Sequence, residues 1–145
     1  MYTIDASVWV NGFDQREPGH AASRRLLDWL GAQAIPIVIP NLALVEIAGA
    51  ISRTRGNPEQ AQLFAGALSD LPNVTVVPVN DALAEQAVAL AARHALRGAD
   101  AVYAAVAVQS GTMLLTLDHE HLTRLVGIVT TRTPADALAE LLPPE

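Results

Sequence analysis

Short β-branched runs alternate with helix-period stretches along this chain, and no other feature narrows the fold as far. "YTI" at residues 2–4, "IPIVIP" at 35–40, "VTVVPV" at 74–79 and "TMLLTL" at 112–117 read as strands, with "GIVT" at 127–130 as a last one. Between them, residues 18–32, 41–56, 57–71, 80–95, 98–111 and 119–126 carry helical patterns, and 133–142 closes as a helix. Asn41 reads as a cap and Gly56 as a stop, while Thr133, Pro134 and Asp136 form an N-terminal helix signature. Parallel strands can be joined only by crossovers, which helices supply. The pattern therefore predicts one α/β domain over residues 1–145, in three layers, with a central mostly parallel sheet flanked by helices. No internal repeat, linker or low-complexity segment interrupts it.

That architecture has a functional edge. In open parallel sheets, ligands sit beyond the carboxyl ends of the strands, where the strand order reverses. Asp5 directly follows the first strand, and Asp118 directly follows "MLLTL". The helix beginning near Gly98 leads into the strand at Met113, so it ends near that strand's start and begins at the opposite edge. Asp100, at its beginning, returns to the carboxyl edge. Glu46 lies about a turn into the helix that leaves the "IVI" strand from the same edge. Four acids from four distant segments thus converge on one rim.

Each acid also has an ordinary reading. Asp5 could open an Asx turn, Asp100 could cap or favour a helix start, and Asp118 could cap the short helix after it. Glu46 resists such a reading. Its helical neighbours Leu42, Ala43, Gly49 and Ala50 include no cation, and the nearest on its face is Arg53, two turns on. Crowded carboxylates repel and raise one another's pKa unless they share a cation. Hard oxygen donors suit Mg²⁺, with Mn²⁺ as a substitute, and such ions polarise a phosphate and activate a water. Metal-assisted phosphodiester hydrolysis is the chemistry this cluster implies.

Composition removes competitors. The chain has no cysteine, which excludes disulfides and thiolate metal sites. It has no apolar span of membrane length, and it starts "MYTID" with no basic leader, so a cytoplasmic setting is expected. All nine basic residues are arginine. A phospho-accepting receiver domain needs a rim lysine, and a haloacid-dehalogenase-type phosphatase needs a lysine plus an Asp where Ser7 stands. A dinucleotide site needs a Gly-rich turn after the first strand, and "DASVWVNG" offers none. A net charge of −6 leaves little long-range attraction for a nucleic acid. Local arginines must then guide a phosphate backbone, and Arg53, Arg55 and Arg97 are the candidates because they fall near the acids.

"TIDASVWV", "PNLALVEIAGAI", "ALRGADAVYAAVA" and "LLTLDHEHL" resemble, in order and spacing, the four acidic blocks of PIN-domain proteins. The resemblance covers nearly the whole chain, and its length is similar to that of the VapC toxins of bacterial toxin–antitoxin pairs. It implies a Mg²⁺-dependent endoribonuclease with Asp5, Glu46, Asp100 and Asp118 in the metal site. By the same resemblance Ser7 and Thr116 support the acids, and Glu120 competes with Asp118 as the fourth. It further implies an RNA substrate, a small antitoxin partner and a homodimer. A non-toxin RNA-processing nuclease and a non-catalytic interaction module of the same fold are the alternatives.

The remaining features read more plainly. His119 and His121 stand two apart on a helix and are expected on different sides, as solvated or substrate-side residues rather than a zinc site. Trp9, Phe13 and Trp29 read as packing. Ala61, Phe64, Leu68 and Leu71 form an apolar stripe that could anchor a partner if partly exposed. The closing "LAELLPPE" is expected to be too short to cover the rim.

Overall fold

The computed structural model describes residues 1–142. The chain runs β1 (Tyr2–Ile4), α1 (Ala6–Phe13), α2 (His20–Ala32), β2 (Ile37–Pro40), α3 (Asn41–Arg55), α4 (Pro58–Ser69) and β3 (Val74–Val77). It continues through α5 (Asp81–His94), α6 (Gly98–Ser110), β4 (Met113–Leu115), α7 (His119–Arg124), β5 (Thr131–Arg132) and α8 (Pro134–Leu141). The five strands form one sheet in the order β3-β2-β1-β4-β5, and every pair is parallel. This is the α/β architecture expected from the alternation. No helix among the described residues is long and apolar enough to cross a membrane.

The strand order explains where a site can form. From β1 the chain steps outward through β2 to β3, then returns across the sheet to β4 on the other side of β1. Right-handed crossovers place the outward and returning helices on opposite faces of the sheet. α6 lies across β2, β1 and β4, with α5 packed on it, while α1 packs against α2 and α3, and α3 against α4. Ile4, Ile39, Leu114 and Leu115 of the strands are fully buried, together with Val8, Leu26, Ile47 and Ile51 of the outward helices. Of α6, Ala101 and Tyr103 through Ala107 are buried, so "AVYAAVA" is apolar almost all round because it is covered almost all round. The order reverses between β1 and β4, and the crevice opens there.

Three local readings change. α1 was not legible: Val8, Trp9 and Val10 carry β-branched or aromatic weight, and "NG" at 11–12 resembles a turn. Packing overrides that propensity, since Val8, Trp9 and Gly12 are buried. A Cβ on Gly12 would stand 2.7 Å from Leu27 Cδ1, so the glycine sets how closely α1 meets α2. The last strand is Thr131–Arg132 rather than "GIVT", paired as Leu114↔Thr131 and Leu115↔Arg132. Gly127 has a left-handed backbone, φ 82°, in the turn that precedes it. Asn41 is the first residue of α3 rather than its cap, and its Oδ1 accepts the Val79 N–H at 3.3 Å. Gly56 closes α3 in the left-handed conformation, as expected of a stop. The final three residues of "LAELLPPE" lie outside the described residues.

Candidate active site

Asp5 is one residue beyond β1, and its N–H donates to Leu115 O at 2.9 Å, which ties it to the end of β4. It occupies the N-cap position of α1, yet its side chain caps nothing. Instead Oδ2 accepts the Ser7 hydroxyl at 2.6 Å and the Thr116 hydroxyl at 2.9 Å, while Oδ1 accepts no hydrogen bond from the described residues. The carboxylate is buried and meets two neutral hydroxyls rather than an arginine.

Glu46 reaches the same crevice from α3. Its Oε2 accepts the Tyr103 hydroxyl at 2.6 Å, and that phenol oxygen accepts the Ala6 N–H at 3.3 Å. Tyr103, fully buried on α6, therefore fastens Glu46 to the start of α1. Burial raises the Glu46 pKa, and the negative charges of Asp5 and Asp100 raise it further against the opposing Tyr103 hydrogen bond. Glu46 thus stands close enough to Asp5 and Asp100 to feel both of their charges.

Asp100 is the third residue of α6 and is not its cap; Arg97 holds that position. The Asp100 carboxylate is turned inward, where Oδ2 accepts Arg97 Nε–H at 2.9 Å and Oδ1 lies 2.7 Å from His121 Nε2. Asp118 combines both of its readings. Its Oδ1 caps α7 by accepting the Glu120 N–H at 2.8 Å, and its Oδ2 accepts Arg97 Nη2–H at 2.8 Å. Burial pushes the Asp118 carboxyl up, but the Glu120 N–H and the neighbouring cationic groups outweigh that and hold it below its ordinary value. Glu120 Oε2 stands 3.4 Å from Arg97 Nε, so the two contenders for fourth acid share one arginine.

His121 corrects the sequence reading. Of its two expected places the solvated one is overturned and the cleft side is kept: it is 2% exposed, lines the cleft and sits in the midst of the acids. The Thr116 hydroxyl spends its single proton on Asp5 Oδ2, so at 3.1 Å it accepts from His121 Nδ1–H, as it does from the Asp118 N–H. Nε2 then faces Asp100 Oδ1 with no aligned hydrogen bond and no other partner. The signal was present, because His121 lies three residues after Asp118 on a helix that Asp118 caps, and i, i+3 positions share a face. Tyr103, three residues after Asp100, was legible by the same rule.

Asp5, Glu46, Asp100, Tyr103, Asp118 and His121 line an open cleft of about 850 Å³ that also takes in Ser7, Arg97 and Arg53, whereas Glu120 and Thr116 do not line it. The three arginines separate. Arg53 has no ion-pair partner among the described residues, and its Nη1 lies 3.1 Å from where a Cβ on Gly49 would be, so it folds back over Gly49 into the cleft. Arg97 is taken up by the acids. Arg55 does not line the cleft: it pairs with Asp14 at 3.1 Å and lies over the Phe13 ring, which corrects its expected place beside the RNA. Among the described residues no group of three or more His, Asp or Glu side chains is gathered closely enough to hold a metal ion, and the Asp100 oxygens face Arg97 and His121.

A family model for the PIN domain matches residues 2–127, a span that contains all four acids. The chain belongs to the PIN domain family. Its PIN fold is similar to that of VapC20 of Mycobacterium tuberculosis, a sarcin–ricin loop cleaving toxin, with 25% identity over 91% of this chain and 99% of that one and a TM-score of 0.74. It is also similar to a chain of VapBC2 from Rickettsia felis bound to promoter DNA, at 14% identity, TM-score 0.69 and coverage of 91% and 97%. A toxin–antitoxin complex from Klebsiella pneumoniae gives 18% identity, TM-score 0.66 and coverage of 92% and 98%. No match was found among curated protein sequences. The sequence blocks that resemble the PIN pattern are the ones that supply this cleft.

Proposed function

We propose that this PIN domain is a metal-dependent endoribonuclease, working with Mg²⁺ or Mn²⁺, and the toxin of a toxin–antitoxin pair. The observation that carries the reading is the meeting of Asp5, Glu46 and Asp100 in one cleft at the reversal of the strand order, with no arginine on Asp5 or Glu46. The donors fit a hard divalent ion: Asp5 Oδ1 and Glu46 Oε1 accept nothing from the described residues, and the buried His121 Nε2 lacks an aligned partner. Asp5, Glu46 and Asp100 would hold it, with Asp118 and Glu120 at the outer edge. When bound, such an ion polarises a phosphoryl oxygen and lowers the pKa of a water.

The chain's own groups prepare that chemistry. Ser7 and Thr116 fix Asp5 by one oxygen and leave the other toward the cleft. Tyr103 does the same for Glu46, and His121 spans Thr116 and Asp100. Arg53, unpaired in the cleft, is the guanidinium free to grip a backbone phosphate in two places. RNA is the substrate, and a homodimer is the expected assembly, which sedimentation of purified protein reads directly.

The partner is a small antitoxin. The expected stripe is partly exposed: Leu68 is buried, Phe64 half-buried and Leu71 39% exposed, along a groove that includes Trp9 and Leu27. An apolar anchor of the antitoxin would fit there, while a cationic side chain of the same peptide would block the acids. Cleavage of single-stranded or loop RNA should require Mg²⁺ or Mn²⁺, stop in EDTA and not return with Ca²⁺; full activity in EDTA would overturn the metal reading. Expression alone should arrest growth, the neighbouring small open reading frame should relieve it, and Asp5→Asn should abolish it. Equal toxicity of Asp5→Asn would end the nuclease-toxin reading.

A further inference from the structure

One cation already stands among the acids, and the chain supplies it. Arg97 Nε lies 2.9 Å from Asp100 Oδ2 and 3.4 Å from Glu120 Oε2, and its Nη2 lies 2.8 Å from Asp118 Oδ2. One guanidinium thus gathers acids from α6 and α7 that would otherwise repel. Its attachment is light on the solvent side, for the Arg97 side chain is 60% exposed whereas that of Asp100 is 9% exposed. Asp100 is buried, whereas its cation stands at the surface. Arg97 also precedes Gly98, which has no side chain to restrict its swing.

We propose that Arg97 is a built-in counter-cation that competes with the divalent ion: it neutralises Asp100, Asp118 and Glu120 when no ion is bound, and ion entry displaces it. This rests on the metal-dependent reading above and goes beyond it, because it makes Arg97 a determinant of metal affinity rather than an RNA contact. It accounts for two features at once. Asp100 is turned inward instead of capping its helix, and Asp118 and Glu120 are drawn to the same guanidinium. Asp5 and Glu46, which Arg97 does not reach, keep their free oxygens as the point of entry.

Removing a positive charge within contact distance of two ligand oxygens should tighten divalent-ion binding on the order of tenfold, after allowance for solvent screening of an exposed group. The test is calorimetric titration of Mn²⁺ into the metal-free protein, with no RNA present, for the wild type, Arg97→Gln, Arg97→Lys and Asp5→Asn. Arg97→Gln should bind Mn²⁺ about tenfold tighter, and Arg97→Lys, which keeps the charge, should stay close to the wild type. In EDTA, Arg97→Gln should melt lower than the wild type, and saturating Mn²⁺ should remove most of that difference. Equal or weaker Mn²⁺ affinity in Arg97→Gln overturns the proposal while leaving the metal reading intact. Absence of binding in the wild type as well as in Asp5→Asn overturns both.

Discussion

The two ends of α1 each hold a buried aspartate, and the two are compensated in opposite ways. Asp14, at the C-terminal end, accepts Arg16 Nε–H at 3.0 Å on one oxygen and Arg16 Nη2–H at 2.8 Å on the other, along with the Arg16 backbone N–H and Arg55 Nη2–H. The Arg16 side-chain and backbone hydrogen bonds hold its pKa far below the ordinary carboxylate range, with help from the Arg16 and Arg55 charges. Asp5, at the N-terminal end, accepts side-chain hydrogen bonds among the described residues only from the hydroxyls of Ser7 and Thr116, both on one oxygen. A buried acid surrounded by its own cations is finished as a structural element: Asp14 pins the end of α1 to the end of α3. A buried acid given only neutral donors has been positioned with no cation of its own, which is what a ligand for an external cation requires.

The largest effect should come from exchanging those roles by mutation. Asp5→Asn keeps the shape and the hydroxyl contacts but removes the charge, so RNA cleavage should fall by roughly two orders of magnitude or more with little change in Tm. Asp14→Asn should do the reverse. It leaves two guanidinium groups without their carboxylate, so Tm should drop clearly while activity per folded molecule stays within about threefold of wild type. Measuring cleavage rates and melting curves side by side decides the matter. An Asp14→Asn protein that melts normally yet cleaves a hundredfold more slowly would break the distinction between the two ends.

Glu46 sharpens the comparison through pH. Its pKa is raised in the folded state, so folding favours its protonated form. The stabilising contribution is therefore complete below the unfolded-state value of an ordinary glutamate and is lost as pH rises through the higher folded-state value. In the metal-free protein at neutral pH, ionised Glu46 opposes folding, and Glu46→Gln should raise Tm there even as it reduces cleavage on the order of a hundredfold. Toward pH 4 the Tm advantage should shrink to nothing. A Glu46→Gln protein that is less stable than wild type in EDTA at pH 7.5 would contradict the view that Glu46 waits for a cation.

How much of this was legible follows from the kind of interaction involved. Asp5, Glu46, Asp100 and Asp118 could be placed because hydrophobic periodicity sets the elements, the elements set the topology, and topology sets one edge. Glu46 was the clearest, as a carboxylate with no cation among its helical neighbours, whereas Asp100 taken alone also read as a helix-start acid. His121 was missed because its burial depends on α7 being short and docked through Asp118, which a local pattern does not encode. Helix α1 was missed because tertiary packing against α2 and α3 overrode β-branched propensity at Val8 and Val10. Of the three arginines expected near the acids, Arg53 and Arg97 line the cleft and Arg55 does not, because proximity in sequence does not reveal pairing. Arg55 is claimed by Asp14, Arg97 by three rim acids, and Arg53 by nothing among the described residues.

That last difference yields the subtlest test, at Gly49. A glycine inside a helix costs roughly 0.5–1 kcal/mol relative to alanine, and nothing in the backbone of α3 demands one here, since its φ is not positive. The only group its missing Cβ would crowd is Arg53, whose Nη1 would stand 3.1 Å away and whose Cζ would stand 4.0 Å away. Gly49→Ala should therefore have two effects of opposite sign. The helix gains, so the variant should be more stable by up to about 1 kcal/mol. The Arg53 guanidinium, a flexible tip, should shift out of its position in the cleft, and RNA cleavage should fall a few-fold through a higher KM with kcat largely kept, the pattern of lost ground-state binding. Arg53→Ala should reproduce the KM effect without the stability gain, and the two substitutions combined should lose no more activity than Arg53→Ala alone. If Gly49→Ala weakened cleavage equally in the absence of Arg53, the alanine would be obstructing substrate directly, and Arg53 would lose its place as the phosphate grip.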